Sequence, residues 1–332
     1  MNLQVTSFKC GGVVVGCTFD HRVADVYSTN MFFTAWSQIS RKILSMLTPT
    51  FRRSHLNPQR PYHYSHSIDD LYVKFSTISL QNDQNSNGES ESRLPPPPLA
   101  SKIYYLEADK IEELQTLASR NGKRRSKLEA FCSYLWQLVA ATVEDKANCK
   151  MGVVVDGRSW LRTRGLPPNY FGNVLSIPFA EAAAAELMES SEYNSQSWAA
   201  DLIHGCISEA ASEEHFQSLI DWVEMQKPEP ALARIYSGSG GDEAPGPCVV
   251  VSSGLRFSLC DMDFGWGKAW FASYHFPWGG EASYVMPLPS PAGDGSWIVY
   301  MHLSNHLLDS IERNPEFLLL PLKPNLLNNL SA

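Results

Sequence analysis

The sequence predicts an α/β protein with mixed sheets, and three observations on its 332 residues carry that reading. Short, uncharged, largely β-branched runs at Val13–Phe19, Gly152–Val155 and Cys248–Ser252 have the pattern of buried strands. Stretches with apolar residues at helical spacing, above all Ala24–Met46, Ala130–Thr142 and Glu186–Gln226, lie between and around them. Strands and helices come in blocks without regular alternation, which favours mixed sheets over a doubly wound parallel one. With 44% hydrophobic and 19% charged residues the chain can bury a large core, and its length fits two domains or one large one.

Taken in order, Cys10–Phe19 reads as a strand buried on both faces and stops at Asp20-His21. Ala24–Met46 follows as a helix, its apolar stripe formed by Val26, Met31, Phe32, Ala35, Trp36, Ile39 and Ile43, with Pro49 beyond its end. His21 therefore falls between a strand and a helix. Residues Thr50–Ser67 read as irregular, and Gln81–Leu99, polar and ending in four prolines, as a linker. The chain divides accordingly into residues 1–80, a linker at 81–101, and a second domain at 102–332. There Lys102–Glu107 reads as a strand and Asp109–Ser119 as a helix with Ile111, Leu114 and Leu117 on one face. Ser126-Lys-Leu-Glu129 is a capping box opening the next helix. Later strands are expected at Cys248–Ser252, Phe257–Leu259, Ala269–Ser273, Ser283–Pro287 and Ser296–His302.

Composition excludes several classes. A formal charge of −8 argues against a nucleic-acid binder, which needs a clustered basic face. No apolar run approaches a bilayer span and the first residues lack the order of a signal peptide, so a cytoplasmic protein without membrane contact is expected. Seven cysteines without CxxC spacing suit reduced core thiols rather than disulfides or zinc, and no metal site is expected. An α/β-hydrolase would need a GxSxG elbow, which is absent.

Two segments carry chemistry. His21-Arg-Val-Ala-Asp25 sets a histidine and an aspartate four apart, but nine His and fifteen Asp give about 0.4 such pairs by chance, and His66-Ser-Ile-Asp-Asp70 repeats the spacing. Context separates them: His21 ends a rigid strand, whereas His66 lies in a polar, proline-flanked stretch. Asp263-Phe-Gly-Trp-Gly267 is far more specific, with a chance expectation on the order of 10⁻⁴. HxxxD and DFGWG, far apart and in this order, resemble the two signatures of the plant BAHD acyl-CoA-dependent acyltransferases. Phe8-Lys-Cys-Gly-Gly12, Val155-Asp-Gly-Arg158 and Tyr170-Phe-Gly-Asn173 match further family segments. Ser252–Phe257 and Ala272–Gly280 look most like coniferyl alcohol acyltransferase-type members.

The resemblance implies a two-domain fold of the chloramphenicol-acetyltransferase type, with acyl-CoA and a small aromatic alcohol meeting in a channel at His21. His21 would be the general base: neutral imidazole takes the acceptor's proton as its oxygen attacks the thioester, then protonates the leaving thiolate. Acyl-CoA is a co-substrate, and no bound cofactor or metal is called for. Asp25 is implied to pair with Arg158 and hold the turn, and Asp263, Gly265, Trp266 and Gly267 to form a scaffold beside the channel. Trp266 either donates its indole N–H to the oxyanion or only packs. Lys123, Arg124, Arg125 and Lys127 around the N-terminus capped by Ser126 form either a solvated loop or an anion site. Relatives line their CoA side with the matching segment and with Asp156–Arg158, which tips the reading to the CoA phosphates. Arg256 matches an acceptor-carboxylate position, a role that a coniferyl-type alcohol puts in question. Relatives also carry a substantial segment before HxxxD, whereas His21 lies almost at the start. The first domain is therefore expected to be incomplete, and the chain to self-associate. The alternative function is a catalytically impaired remnant that binds CoA, an aromatic ligand or a partner.

Overall fold

The computed structural model describes residues 1–44, 48–77, 98–119, 122–189, 195–237, 245–257, 259–276, 282–324 and 326. The chain opens with an antiparallel hairpin of β1 (Asn2–Ser7) and β2 (Val13–Thr18), closed by a turn in which Gly11 has φ +87°. One expectation changes here. The strand at Val13 pairs with β1 and is not buried on both faces: Val14 is 54% exposed and Val5, opposite Val15, 51%. A two-stranded ribbon has no sheet to extend, and among the described residues no layer covers both of its faces.

Asp25 caps α1 (Val26–Ser40), whose carboxyl end is closed by the Arg41, Lys42 and Ile43 N–H groups with Lys42 at φ +60°, so the helix stops before Met46. Then come α2 (Ser67–Leu71), β3 (Tyr72–Lys74), β4 (Leu99–Leu106), α3 (Ala108–Ala118), α4 (Lys127–Ala140), β5 (Asn148–Val153), β6 (Val155–Asp156), β7 (Leu175–Ser176) and β8 (Phe179–Ala183). α5 (Ala184–Met188), α6 (Ser195–Ala210), α7 (Glu213–Gln226), β9 (Ala231–Ala233), β10 (Pro245–Val251), β11 (Ser283–Pro289), β12 (Trp297–Ser304), α8 (Asn305–Glu312) and β13 (Leu320–Pro321) complete the chain.

The principal sheet has seven strands in the order β13-β4-β12-β11-β10-β5-β8. β11, β10 and β5 run parallel and the other neighbours antiparallel, so the sheet is mixed as the sequence predicts. Alternation along β10 feeds two core layers. Val249 and Val251 face Phe131, Leu135 and Val139 of α4, whereas Val250 faces the layer of Ile235, Tyr284, Met286 and Tyr300. Phe257, Phe271, Tyr274, Phe276 and Val26 pack on that second layer, which brings the segment 257–276 and the start of α1 onto one sheet face.

The expected strands Phe257–Leu259 and Ala269–Ser273 are not strands among the described residues. Phe257 closes a turn (Phe257 N to Gly254 O, 3.0 Å), Leu259 opens a 3-10 turn at Leu259–Asp261, and the second segment is irregular. Their apolar side chains serve packing on the sheet face rather than pairing. Leu99–Ser101 of the expected linker already belong to β4, paired with β12, and residues 81–97 lie outside the described residues. β3, before that linker, pairs with β9 after it, so the chain on either side is joined by main-chain hydrogen bonds. The helical stretch Glu186–Gln226 resolves into the end of α5 with α6 and α7, and β8 stands where no strand was expected. No helix among the described residues is long and apolar enough to cross a membrane. None of the seven cysteines is in a disulfide: Cys132, Cys149 and Cys248 are buried as expected, but Cys10 is exposed at the hairpin turn.

Candidate active site

The site is built on the end of β2 and the cap of α1. Asp25 is 0% exposed, and its Oδ1 accepts from the Ser28 N–H at 2.9 Å, satisfying one orphan donor of the helix start. The same carboxylate receives the Arg158 guanidinium as a fork, Nη1 to Oδ2 at 2.8 Å and Nη2 to Oδ1 at 3.0 Å. Arg158 also donates to the Gly172 carbonyl (2.6 Å), Ser28 Oγ (3.1 Å), Asp156 Oδ1 (3.1 Å) and the Tyr170 carbonyl (3.5 Å), and lies over the Tyr27 ring at 4.4 Å. Gly172 sits at φ +152°, and a Cβ there would meet the Arg53 guanidinium, so the residue following Phe171 has to be glycine. The pairing of Asp25 with Arg158 is as the resemblance implied.

One part of the expectation for Arg158 does not hold. Its side chain is 5% exposed and its nitrogens are committed to internal acceptors, so it has no donor left for a CoA phosphate. Asp156 turns the same way, accepting from the Arg158 N–H at 3.0 Å; burial pushes its carboxyl above the usual range, against the pull of Arg158.

His21 is half-buried immediately before this clamp. Asn173 Nδ2 donates to its carbonyl at 2.7 Å. Its ring meets Phe276 edge-on at 5.5 Å and Phe19 at 6.2 Å, and Phe276 leans in turn on Tyr284 at 4.8 Å. The comparison motif behaves differently: the His66 side chain is 96% exposed and pairs with Asp69 at 3.5 Å rather than with Asp70.

The DFGWG segment forms a turn docked on the end of α1. Asp263 Oδ1 accepts from the N–H groups of Gly265 (2.7 Å) and Gly267 (3.1 Å), and both glycines have φ near +100°. The Gly265 N–H first, then that of Gly267 and Arg41 at 3.4 Å, outweigh desolvation and hold the carboxyl below its usual range. Phe264 meets Trp36 at 4.6 Å. Trp266, however, is 65% exposed with its ring against Phe264, so it is neither packed in an interior nor in ring contact with His21.

The basic cluster is smaller than the sequence implied. Ser126 caps α4, and Glu129 returns the bond to the Ser126 N–H at 2.6 Å, completing the capping box. Arg125 is a correction: it is buried and turned onto Asp201 of α6, and its own carbonyl accepts from Gln115 of α3. Lys127 pairs with Glu112 at 3.5 Å. Lys123 and Arg124 remain exposed beside the helix start. Arg256 is exposed in the turn after β10. An open cleft of about 920 Å³ between residues 59–66 and α7, walled by Tyr62, His63, Arg164, Glu213 and Gln217, contains none of the predicted site residues. No metal-ligand cluster occurs among the described residues.

Sequence reasoning named Asn173 only as part of a matched segment and did not single out Phe19, Phe276, Ser28 or Gly172. The glycine before Asn173 was the available signal, since it marks a close backbone approach.

A mixed sheet, with a histidine turn beside it clamped by a buried aspartate–arginine pair, defines the class to which the comparisons with known proteins point. The chain belongs to the Transferase family of the BAHD type, whose family model matches residues 1–318. It is 29% identical to anthranilate N-benzoyltransferase protein 1 of Dianthus caryophyllus, over 92% of this chain and 65% of that protein. It is 28% identical to shikimate O-hydroxycinnamoyltransferase of Nicotiana tabacum, over 94% of this chain and 68% of that protein. The chain thus spans about two thirds of the length of these relatives. Its fold matches F. graminearum TRI101 crystallised with coenzyme A and T-2 mycotoxin, with a TM-score of 0.72 at 16% identity, covering 96% of this chain and 68% of that one. It also matches vinorine synthase, with a TM-score of 0.61 at 19% identity, covering 93% and 63%.

Proposed function

We propose that this protein is an acyl-CoA-dependent O-acyltransferase whose acceptor is a small aromatic, hydroxycinnamyl-type alcohol and whose general base is His21. The observation that carries the reading is the holding of His21: its turn is tied by Asn173 and by the buried Asp25–Arg158 pair, and its ring lies beside Phe19 and Phe276. An imidazole held beside two aromatic rings suits an aromatic alcohol presented by ring contact. In the reaction the imidazole nitrogen takes the hydroxyl proton as the alcohol oxygen bonds to the thioester carbon. The tetrahedral oxyanion collapses, the C–S bond breaks, and the imidazolium returns the proton to the CoA sulfur. The relatives named as benzoyl- and hydroxycinnamoyltransferases support the aromatic chemistry, and the neighbour crystallised with coenzyme A supports the donor. Lys123, Arg124 and the free N–H groups at the start of α4 would meet the CoA phosphates. The coniferyl-alcohol-type acceptor, a cytoplasmic setting and the division into two domains at 81–101 belong to the same reading. With an alcohol lacking a carboxylate, Arg256 has no acceptor role in it.

A second reading, an impaired remnant that binds ligand or self-associates, draws on the exposed valines of the β1–β2 hairpin, an uncharged strand edge open to pairing. The test is mass-spectrometric screening of aromatic acyl-CoAs against aromatic alcohols. His21→Ala is expected to lower turnover by about 10²–10⁴-fold, while His66→Ala leaves it within about twofold. Equal losses in the two variants overturn the assignment of the base, and absence of any ester product from the parent chain favours the second reading.

A further inference from the structure

We propose that Asn173 is a positioning residue for His21: its carboxamide sets the placement of the histidine turn, and with it the rate of proton transfer. This rests on His21 being the base. The segment 172–174 grips both ends of the HxxxD turn in different ways. Its backbone holds the aspartate end: the Gly172 carbonyl accepts from Arg158 at 2.6 Å, and the Val174 N–H reaches Asp25 Oδ2 at 3.3 Å. Its one intervening side chain holds the histidine end, Nδ2 of Asn173 donating to the His21 carbonyl at 2.7 Å. Arg22 and Val23, between the two ends, are exposed. The tie to Asn173 is thus what connects the histidine carbonyl to the rigid part of the site.

A second observation bears on how the carboxamide is oriented. Among the described residues the buried Oδ1 of Asn173 finds no hydrogen-bond partner. A buried acceptor left unpaired is unfavourable, so the Nδ2 bond to the His21 carbonyl is the side-chain hydrogen bond that orients this carboxamide. The donor has to face the His21 carbonyl, so the oxygen is left over. A histidine displaced by about 1 Å loses on the order of 10²-fold in rate, which gives the tie its consequence.

The experiment compares Asn173→Ala, Asn173→Asp and His21→Ala, with kcat, both KM values and the pH profile of kcat measured per folded molecule. Asn173→Asp keeps the side chain's size but replaces the donor with an oxygen. Both Asn173 variants are expected to lose about 10²-fold in kcat, with the acyl-CoA KM within about twofold, and to shift the acid limb of the profile. Asn173→Asp with parental kcat and profile, beside an inactive His21→Ala, overturns the proposal and leaves the base intact. A fully active His21→Ala overturns the base reading instead. If the parent turns over no substrate, the His21 Hε1 resonance decides: a single sharp line that broadens or splits in Asn173→Asp supports the tie, and an unchanged line overturns it.

Discussion

The two signature aspartates of this chain solve different problems. Asp25 is completely buried and bonded to a guanidinium 133 residues away, so it joins parts of the chain that the sequence keeps far apart. Asp263 is partly exposed and spends its best hydrogen bonds on N–H groups two and four residues later in its own turn. A motif aspartate is therefore not one kind of object: Asp25 neutralises a buried cation, while Asp263 shapes a local loop. The difference follows from desolvation, since a buried ion pair is expensive to break and an exposed turn bond is not.

The largest expected effect comes from removing one member of the buried pair. Asp25→Ala leaves the buried Arg158 guanidinium with only the partly exposed Asp156 carboxylate as counter-charge, and removes the cap of α1, at a cost of about 3–5 kcal/mol. Against a typical native stability of about 5–15 kcal/mol, chemical denaturation should show a large fall in midpoint. Changing both partners, Asp25→Leu with Arg158→Met, is expected to recover part of that loss. A double-mutant cycle with no coupling between the two positions would erase the contrast with Asp263.

The smallest effect is expected at the DFGWG turn. Asp263→Asn keeps an acceptor for the Gly265 and Gly267 N–H groups and should move the thermal midpoint by at most about 2 °C. The pH dependence has the sign of a depressed carboxylate. The contribution of Asp263 is present above its unfolded value near 3.8 and is lost as pH falls through its lower folded value. Proteolysis at this turn should therefore rise only in strongly acidic buffer, and Asp263→Asn should remove that rise. A loop that already opens between pH 5 and 6 would show that local hydrogen bonds are not what holds it.

Much of the architecture could be read from the residues alone. The capping box at Ser126 and Glu129, the apolar stripe of α1, and the buried runs that became β5, β10, β11 and β12 depend on local chemistry and periodicity, which a sequence displays directly. The separation of His21 from His66 was also legible, since a strand end and a polar loop differ in local composition. The Asp25–Arg158 pair was legible only through family resemblance, because nothing near Asp25 in the sequence announces a partner so distant.

What only the tertiary structure decided concerns partners. Phe179-Ala-Glu-Ala-Ala183 has the composition of a helix, yet pairs with β5 over five residues, because ladder bonds to the sheet edge and packing on the sheet outweigh intrinsic preference. The segments around Phe257 and Phe271 look like strands by their apolar content, yet lie as loops over the sheet face. Arg125 reads as a phosphate ligand by charge and Arg158 as one by family resemblance, yet both turn onto aspartates. The sequence by itself determined which residues are apolar, which turns are capped and where the histidine falls. The tertiary structure decided which charges are spent on the protein itself, because an ion pair depends on distance in space, to which separation along the chain is no guide.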